Sequence, residues 1–204
     1  MGSPADAPWV TAVGATSHDR VIENTLAGMT GGDSAPPADM TGKGNTAGLA
    51  QTSIVHAADS SDALCLNPFP AGTWTNGEIV VCDRGTNARI TKGENVMAGG
   101  AAGYVLANTP AYGEETVVDL HLLPAVHIGA TAGDALRSWL ASGSGHMAQI
   151  TGADWVYDPA EADKVAGFSS RGANRAVPGV VKPDIAAPGA NILAAHGVNN
   201  PPLP

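Results

Sequence analysis

Two adjacent serines, six histidines and a few carboxylates are the side chains of this sequence that could do covalent or acid–base chemistry. Ser169 and Ser170 sit in the run Gly167-Phe168-Ser169-Ser170-Arg171-Gly172. A serine becomes a nucleophile only with a base in hydrogen-bond reach and donors for the developing oxyanion. Neither a Gly-x-Ser-x-Gly nor a Gly-Thr-Ser turn surrounds them, so their expected role is structural. His121 and His127 flank Pro124 and no His-Glu-x-x-His occurs, so ordinary hydrogen bonds, not metal ligation, are expected of the histidines. Asp83 beside Arg84 is expected to organise a strand end by accepting backbone N–H groups. Asp184 reads as a turn carboxylate between prolines, and Tyr112-Gly113-Glu114-Glu115-Thr116 as a solvated acidic loop. Cys65 and Cys82 are the only cysteines. With no Cys-x-x-Cys and no neighbouring Cys/His set, a metal site is not expected; buried thiols and a disulfide both stay open on the residues alone.

These groups must be positioned by short elements, because 26 glycines and 15 prolines interrupt the chain. Strands are expected at Trp9–Ala15, Thr52–His56, Glu78–Cys82, Tyr104–Ala107, Pro124–Ile128 and Met147–Thr151, where apolar residues alternate or run together. A first helix follows Gly85, with Asn87 as N-cap and Ile90, Met97, Ala98 and Ala101 on one face, ending at Gly99-Gly100. A second is marked by Thr131 and Asp134 as a capping-box-like pair, a stripe of Ala132, Ala135, Leu136, Trp139 and Leu140, and a stop at Gly143. Residues 28–48 read as loop, and Pro159 to Lys164 as a polar connector.

Composition excludes some function classes. Hydrophobic residues are 44% and charged residues 14%, which suits a packed globule rather than a disordered chain. A net charge of −9 with ten scattered basic residues argues against nucleic acid as a partner. No apolar run approaches the roughly 18–20 residues of a membrane helix. No charged-then-apolar leader opens at Met1, which leaves a cytosolic protein or one whose N-terminal part lies elsewhere; the mid-domain look of GSPADAPWVTAVGA favours the second.

Two stretches carry a family resemblance. Phe168-Ser169-Ser170-Arg171-Gly172, Lys182-Pro183-Asp184-Ile185 and Ala187-Pro188-Gly189 resemble the segment of subtilisin-like serine proteases just ahead of their nucleophile. Ile79-Val80-Val81-Cys82-Asp83-Arg84-Gly85, with Lys92-Gly93, Ala98-Gly99-Gly100-Ala101 and Leu106-Ala107-Asn108, resembles a protease-associated (PA) domain. His121-Leu122-Leu123-Pro124-Ala125 adds similarity to the plant-type subtilases, in which such a domain is inserted into the catalytic domain. The order WVTAVGA, PA-like block, FSSRG, KPDIAAPG is the order of that insertion. A PA insert of a zinc peptidase or a receptor has no place for the last two motifs.

The resemblance implies a fold of the α/β (α+β) class: a swivelling β/β/α PA domain with two small sheets, two short helices against one of them, and partial strands of a subtilisin-like catalytic domain at both ends. The implied divisions are 1–27, a catalytic-domain fragment and connector; 28–152, the PA domain; and 153–204, a connector and second fragment. Those terminal pieces, without their partner strands, are expected to dock on the PA body, to self-associate or to stay mobile. The implied activity of the parent is peptide-bond hydrolysis by Asp, His and Ser with an oxyanion-hole Asn. Those residues are expected before Met1 and beyond Pro204, so no catalytic residue is assigned within this chain. Phe168 would line the wall that receives residues after the scissile bond, a core phenylalanine being the alternative. A cation ligand is the alternative for Asp184. An extracellular setting favours a Cys65–Cys82 disulfide, worth about 3 kcal/mol on the chain-entropy view. No cofactor or metal is implied. Implied partners are protein or peptide substrates of the parent, the rest of its catalytic domain and a second copy; the rival reading is a stand-alone non-catalytic protein-binding module.

Overall fold

A computed structural model describes residue 2 and residues 4–192. They form ten strands and two α-helices, in two compact units: residues 22–155, and the described residues up to 21 together with 156–192.

The larger unit is built on a parallel quartet, β4 (Leu49–His56), β5 (Ile79–Asp83), β6 (Gly103–Ala107) and β7 (Ala125–Ile128). Antiparallel to it run β8 (Met147–Ile150), beside β4, and β3 (Met40–Lys43), beside β7, while β2 (Arg20–Thr30) pairs antiparallel with both β8 and β3. The order is β3-β7-β6-β5-β4-β8-β2, and β3 pairs with both β7 and β2, so seven strands close into a barrel; β9 (Asp154–Tyr157) follows β2 in the same order. The two expected sheets are thus joined edge to edge by β3, inside the stretch read as loop. Gly42 permits the junction: a Cβ there would fall 2.3 Å from the His127 carbonyl oxygen. Closure leaves the barrel without a free edge at that seam.

Of the quartet, β5, β6 and β7 are buried on both faces, as parallel strands covered on two sides must be, while β4 carries polar and exposed positions. Along β5, Ile79 and Val81 enter one core, with Leu26, Ile54, Ile128 and Trp139, while Val80 and Cys82 enter a second, with Trp74, Val96 and Tyr104. Helix α2 (Ala130–Leu140) packs Leu136 and Trp139 into the first, and α1 (Arg89–Ala98) packs Val96 into the second.

Both helices start differently from expectation. Asn87 does not cap α1; its amide donates to the Cys65 carbonyl, 3.0 Å away. The buried face of α1 is Lys92, Gly93, Asn95 and Val96, while Met97 and Ala98 are exposed, because this face grips the loop around Cys65. Thr131 and Asp134 form no capping box. The Glu114 carboxylate reaches in from the preceding loop and accepts from Thr131 N and Oγ1 at 2.9 and 2.6 Å, while Asp134 pairs with Arg137. A carboxylate at this end also complements the helix dipole. On the expected α2 stripe, Leu136 and Trp139 are buried, Ala132 and Leu140 half-buried and Ala135 exposed.

The smaller unit holds a two-stranded parallel sheet of β1 (Val13–Thr16) and β10 (Ile185–Pro188), paired from Val13↔Ile185 to Thr16↔Pro188. The expected Trp9–Ala15 strand therefore starts four residues later. Its earlier part is a turn-rich lead whose Val10 N–H closes back on the Ala7 carbonyl.

Candidate functional site

In the barrel unit, the chemistry-bearing side chains gather at the carboxyl ends of the parallel strands, where α/β sheets place their functional groups. β4 ends in His56, β5 in Asp83 with Arg84 next after it, and β6 leads into Asn108. Asp83 accepts from Arg137 of α2 at 2.8 Å and faces His56 Nε2 at 3.4 Å. It does not bind the backbone N–H groups expected of it, because α2 brings a guanidinium to this strand end. Burial works to raise the Asp83 carboxyl, but His56 and then Arg137 outweigh it and hold the group below the ordinary carboxylate range. Arg84 lies over the Tyr112 ring, 4.6 Å from its centroid.

Asn108 and His127 fasten the loop between β6 and β7. The Asn108 amide donates to the Gly113 and Glu115 carbonyls, each at 2.9 Å, and its oxygen lies 2.9 Å from His127 Nε2. His127 Nδ1 accepts from Val117 N–H at 3.2 Å. This fixes the neutral Nε2–H tautomer in a side chain that is almost fully buried. Burial pushes the imidazole down to about 4, with help from the Arg84 charge and against the Val117 carbonyl, 3.3 Å from Nδ1, which would accept from the protonated ring. The acidic loop is therefore not simply solvated: Glu114 caps α2, and Asn108 holds the backbone on either side of it.

Cys65 and Cys82 form a disulfide with Cα atoms 5.9 Å apart, and both residues are fully buried. The Cys65 carbonyl accepts from Asn87 and Asn95, and the neighbouring Leu64 carbonyl from Lys92. Burial lowers the Lys92 ammonium to about 8, although Asp62 and Asp83 favour its charge. The bridge and α1 thus secure one loop together.

In the smaller unit, Phe168 is exposed and lines a cavity of about 240 Å³ with Val13, Gly14, Ser169 and Pro183. Ser169 Oγ accepts from Ala15 N–H at 2.9 Å, tying its segment to β1. Asp184 accepts from Ala12 N–H and from Lys182 Nζ, both at 2.7 Å, while that buried ammonium also donates to the Val10 carbonyl. The Lys182 hydrogen bond and then the Ala12 N–H hold the Asp184 carboxyl below its usual value. Ser169, Lys182 and Asp184 are accounted for as braces of the β1–β10 pair. No group of three or more metal-ligating side chains occurs among the described residues.

Sequence reasoning missed Arg137, Glu114 and Asn108 as organising groups. Each acts across a gap in the chain that local pattern does not register; Arg137 and Asp83, for example, are 54 positions apart.

Residues 45–136 match the PA domain family. "Subtilisin-like protease SBT1.4" of Arabidopsis thaliana is 39% identical over 189 residues, covering 92% of this chain and 24% of its own length. "Subtilisin-like protease SBT1.7" of the same plant is 40% identical over 193 residues, covering 93% and 25%. Among solved structures, the aminopeptidase from Aneurinibacillus sp. strain AM-1 aligns at a TM-score of 0.39 and 15% identity, over 72% of this chain and 42% of that one. A likeness that low says nothing about function. By class, the barrel is a protease-associated domain. The chain is that domain with flanking segments of a subtilisin-like serine protease of the plant type, and it spans about a quarter of the length of the relatives named.

Proposed function

We propose that the chain is the PA insert of a secreted subtilisin-like serine endopeptidase, with the catalytic-domain strands on either side of it, and that the insert shapes access to the substrate groove or mediates protein contacts. The divisions are taken at 1–27, 28–152 and 153–204; residues beyond 192 lie outside the described residues. Similarity over nine-tenths of the chain to such proteases, with the PA match between the flanks, carries this reading. The parallel pairing of β1 with β10 supports it, since strands from the two sides of the insertion return to one sheet.

Peptide-bond hydrolysis by an acyl-enzyme route is assigned to the parent, with its triad outside these residues. In support, Ser169 Oγ is engaged with the Ala15 backbone. Phe168, exposed beside a cavity, is proposed to border the groove where product-side residues lie. A buried disulfide supports an oxidising, extracellular setting, and no helix among the described residues is long and apolar enough to cross a membrane.

The natural protein's sequence on both sides of this stretch tests the reading. Aspartate and histidine motifs upstream and a Gly-Thr-Ser downstream are expected; their absence would favour a stand-alone binding module. The chain itself should not be labelled by a fluorophosphonate, and stoichiometric labelling would overturn the assignment of the triad elsewhere.

A further inference from the structure

The sequence holds a single Asn-Gly pair, Asn76-Gly77, in the bend that leads into β5. Asn76 is exposed, while Glu78 beside it is buried. Both Glu78 oxygens hold Asn76: Oε2 accepts from its backbone N–H at 2.9 Å and Oε1 from its side-chain amide at 3.1 Å. Burial works to raise the Glu78 carboxyl, but these donors, led by the Asn76 N–H, hold it below the ordinary carboxylate range. The bend also ties strands together. The Asn76 carbonyl accepts from Thr52 Oγ1 of β4, and the Glu78 carbonyl from the Ala102 and Gly103 N–H groups at the start of β6.

Gly77 has a φ of +73°, and a Cβ there would meet nothing nearer than Ala102 Cβ at 3.6 Å. Its N–H makes no hydrogen bond among the described residues. The backbone nitrogen that follows the Asn76 amide is thus neither shielded by a side chain nor committed to a partner. Asn24, Asn95 and Asn108 are buried, donate their amides to backbone carbonyls and precede no glycine.

We propose that Asn76-Gly77 is a site of spontaneous deamidation, with water as co-reactant, and that Glu78 couples the product to the start of β5. The Gly77 nitrogen attacks Asn76 Cγ, an N–C bond forms and the Cγ–Nδ2 bond breaks. The side-chain nitrogen leaves as ammonia, taking up the proton that Gly77 gives up. Water then opens the cyclic imide, its hydroxyl going to one carbonyl carbon and its proton to the ring nitrogen. Opening at Cγ gives aspartate, and opening at the backbone carbonyl gives isoaspartate. Nothing is oxidised or reduced. Either product removes the donor from Glu78 Oε1 and sets a second negative charge in its place. Because only water is consumed, the extent of change records how long the folded chain has been in solution. The inference goes beyond the role proposed above and does not rest on it.

The test holds the full chain at mildly alkaline pH beside a free peptide of residues 73–79, and follows residue 76 by digestion and mass. The native chain should exchange this amide for an acid within about tenfold of the peptide's rate, the cost of keeping one hydrogen bond. Both aspartate and isoaspartate should appear, while Asn24 and Asn108 keep their amides. An intact Asn76 after the peptide has converted would overturn the site. Separately, Asn76→Asp should lower the melting temperature of the barrel transition by about 4 °C near neutral pH. Adding Glu78→Gln, which offers residue 76 a donor instead of a like charge, should recover it. A variant that melts with the wild type, or a loss that Glu78→Gln leaves in place, would overturn the coupling through Glu78.

Discussion

His127 makes the clearest residue-scale prediction, because its tautomer, burial and partners agree. The unfolded chain takes up this proton near the ordinary histidine value of about 6.5, whereas the folded protein resists it until about 4. A histidine lowered on folding leaves the native state short of a proton between those values, so stability rises with pH across that window. The contribution is complete above the unfolded value and is lost as pH falls toward the folded one. Between about pH 7.5 and about pH 5 the loss should be about 2 kcal/mol. Urea midpoints at the two pH values would show it, against a His127→Gln variant that is less stable near neutrality but flatter with pH. A wild-type protein no steeper than the variant would contradict the assignment. Little of this was legible in the sequence. The strand at His127 could be read from its apolar neighbours, but Asn108 and Val117 meet the ring only after the chain has folded back on itself.

Elements were legible where a local period sufficed. β5, β6 and β7 are short apolar runs, and buried parallel strands leave that imprint because both faces are covered. β2 and β3 escaped notice for the opposite reason. Their Glu23, Asn24, Thr41 and Gly42 look like loop, yet Asn24 is fully buried because its amide donates to the Thr46 and Thr151 carbonyls at 3.0 and 2.7 Å. The helix caps failed likewise, since Glu114 performs at a distance what Thr131 and Asp134 were expected to do locally. The disulfide followed from the family's setting and not from spacing. Its element-scale consequence is testable: replacing both cysteines by serine should cost about 3 kcal/mol, read by thermal or chemical unfolding. Because Lys92, Asn87 and Asn95 still hold the Leu64 and Cys65 carbonyls, the variant should keep its native circular dichroism near neutrality. Loss of that signal would mean that the bridge alone orders the loop.

At the scale of the whole molecule, the two units stand on different footings. The barrel owns two cores and closes its own edges. In the smaller unit, Val13 is 56%, Ile185 57% and Phe168 63% exposed, on or beside a two-stranded parallel sheet. Parallel strands are ordinarily covered on both faces, so this apolar surface accords with the function proposed above, in which the smaller unit's neighbours would belong to a catalytic domain. Residues 22–155 alone should therefore unfold cooperatively at nearly the melting temperature of the barrel transition in the full chain. They should also bind less of a hydrophobic dye per molecule. A truncated chain that is molten would show that the barrel needs its flanks.

The strands by which the chain enters and leaves the barrel, β2 and β9, are neighbours in the sheet order. If the barrel is the insert proposed above, ends that lie side by side ask a host only for two adjoining attachment points. Such a unit could be acquired, lost or exchanged between proteins as a cassette, and a short peptide could take its place without the host having to be rewoven.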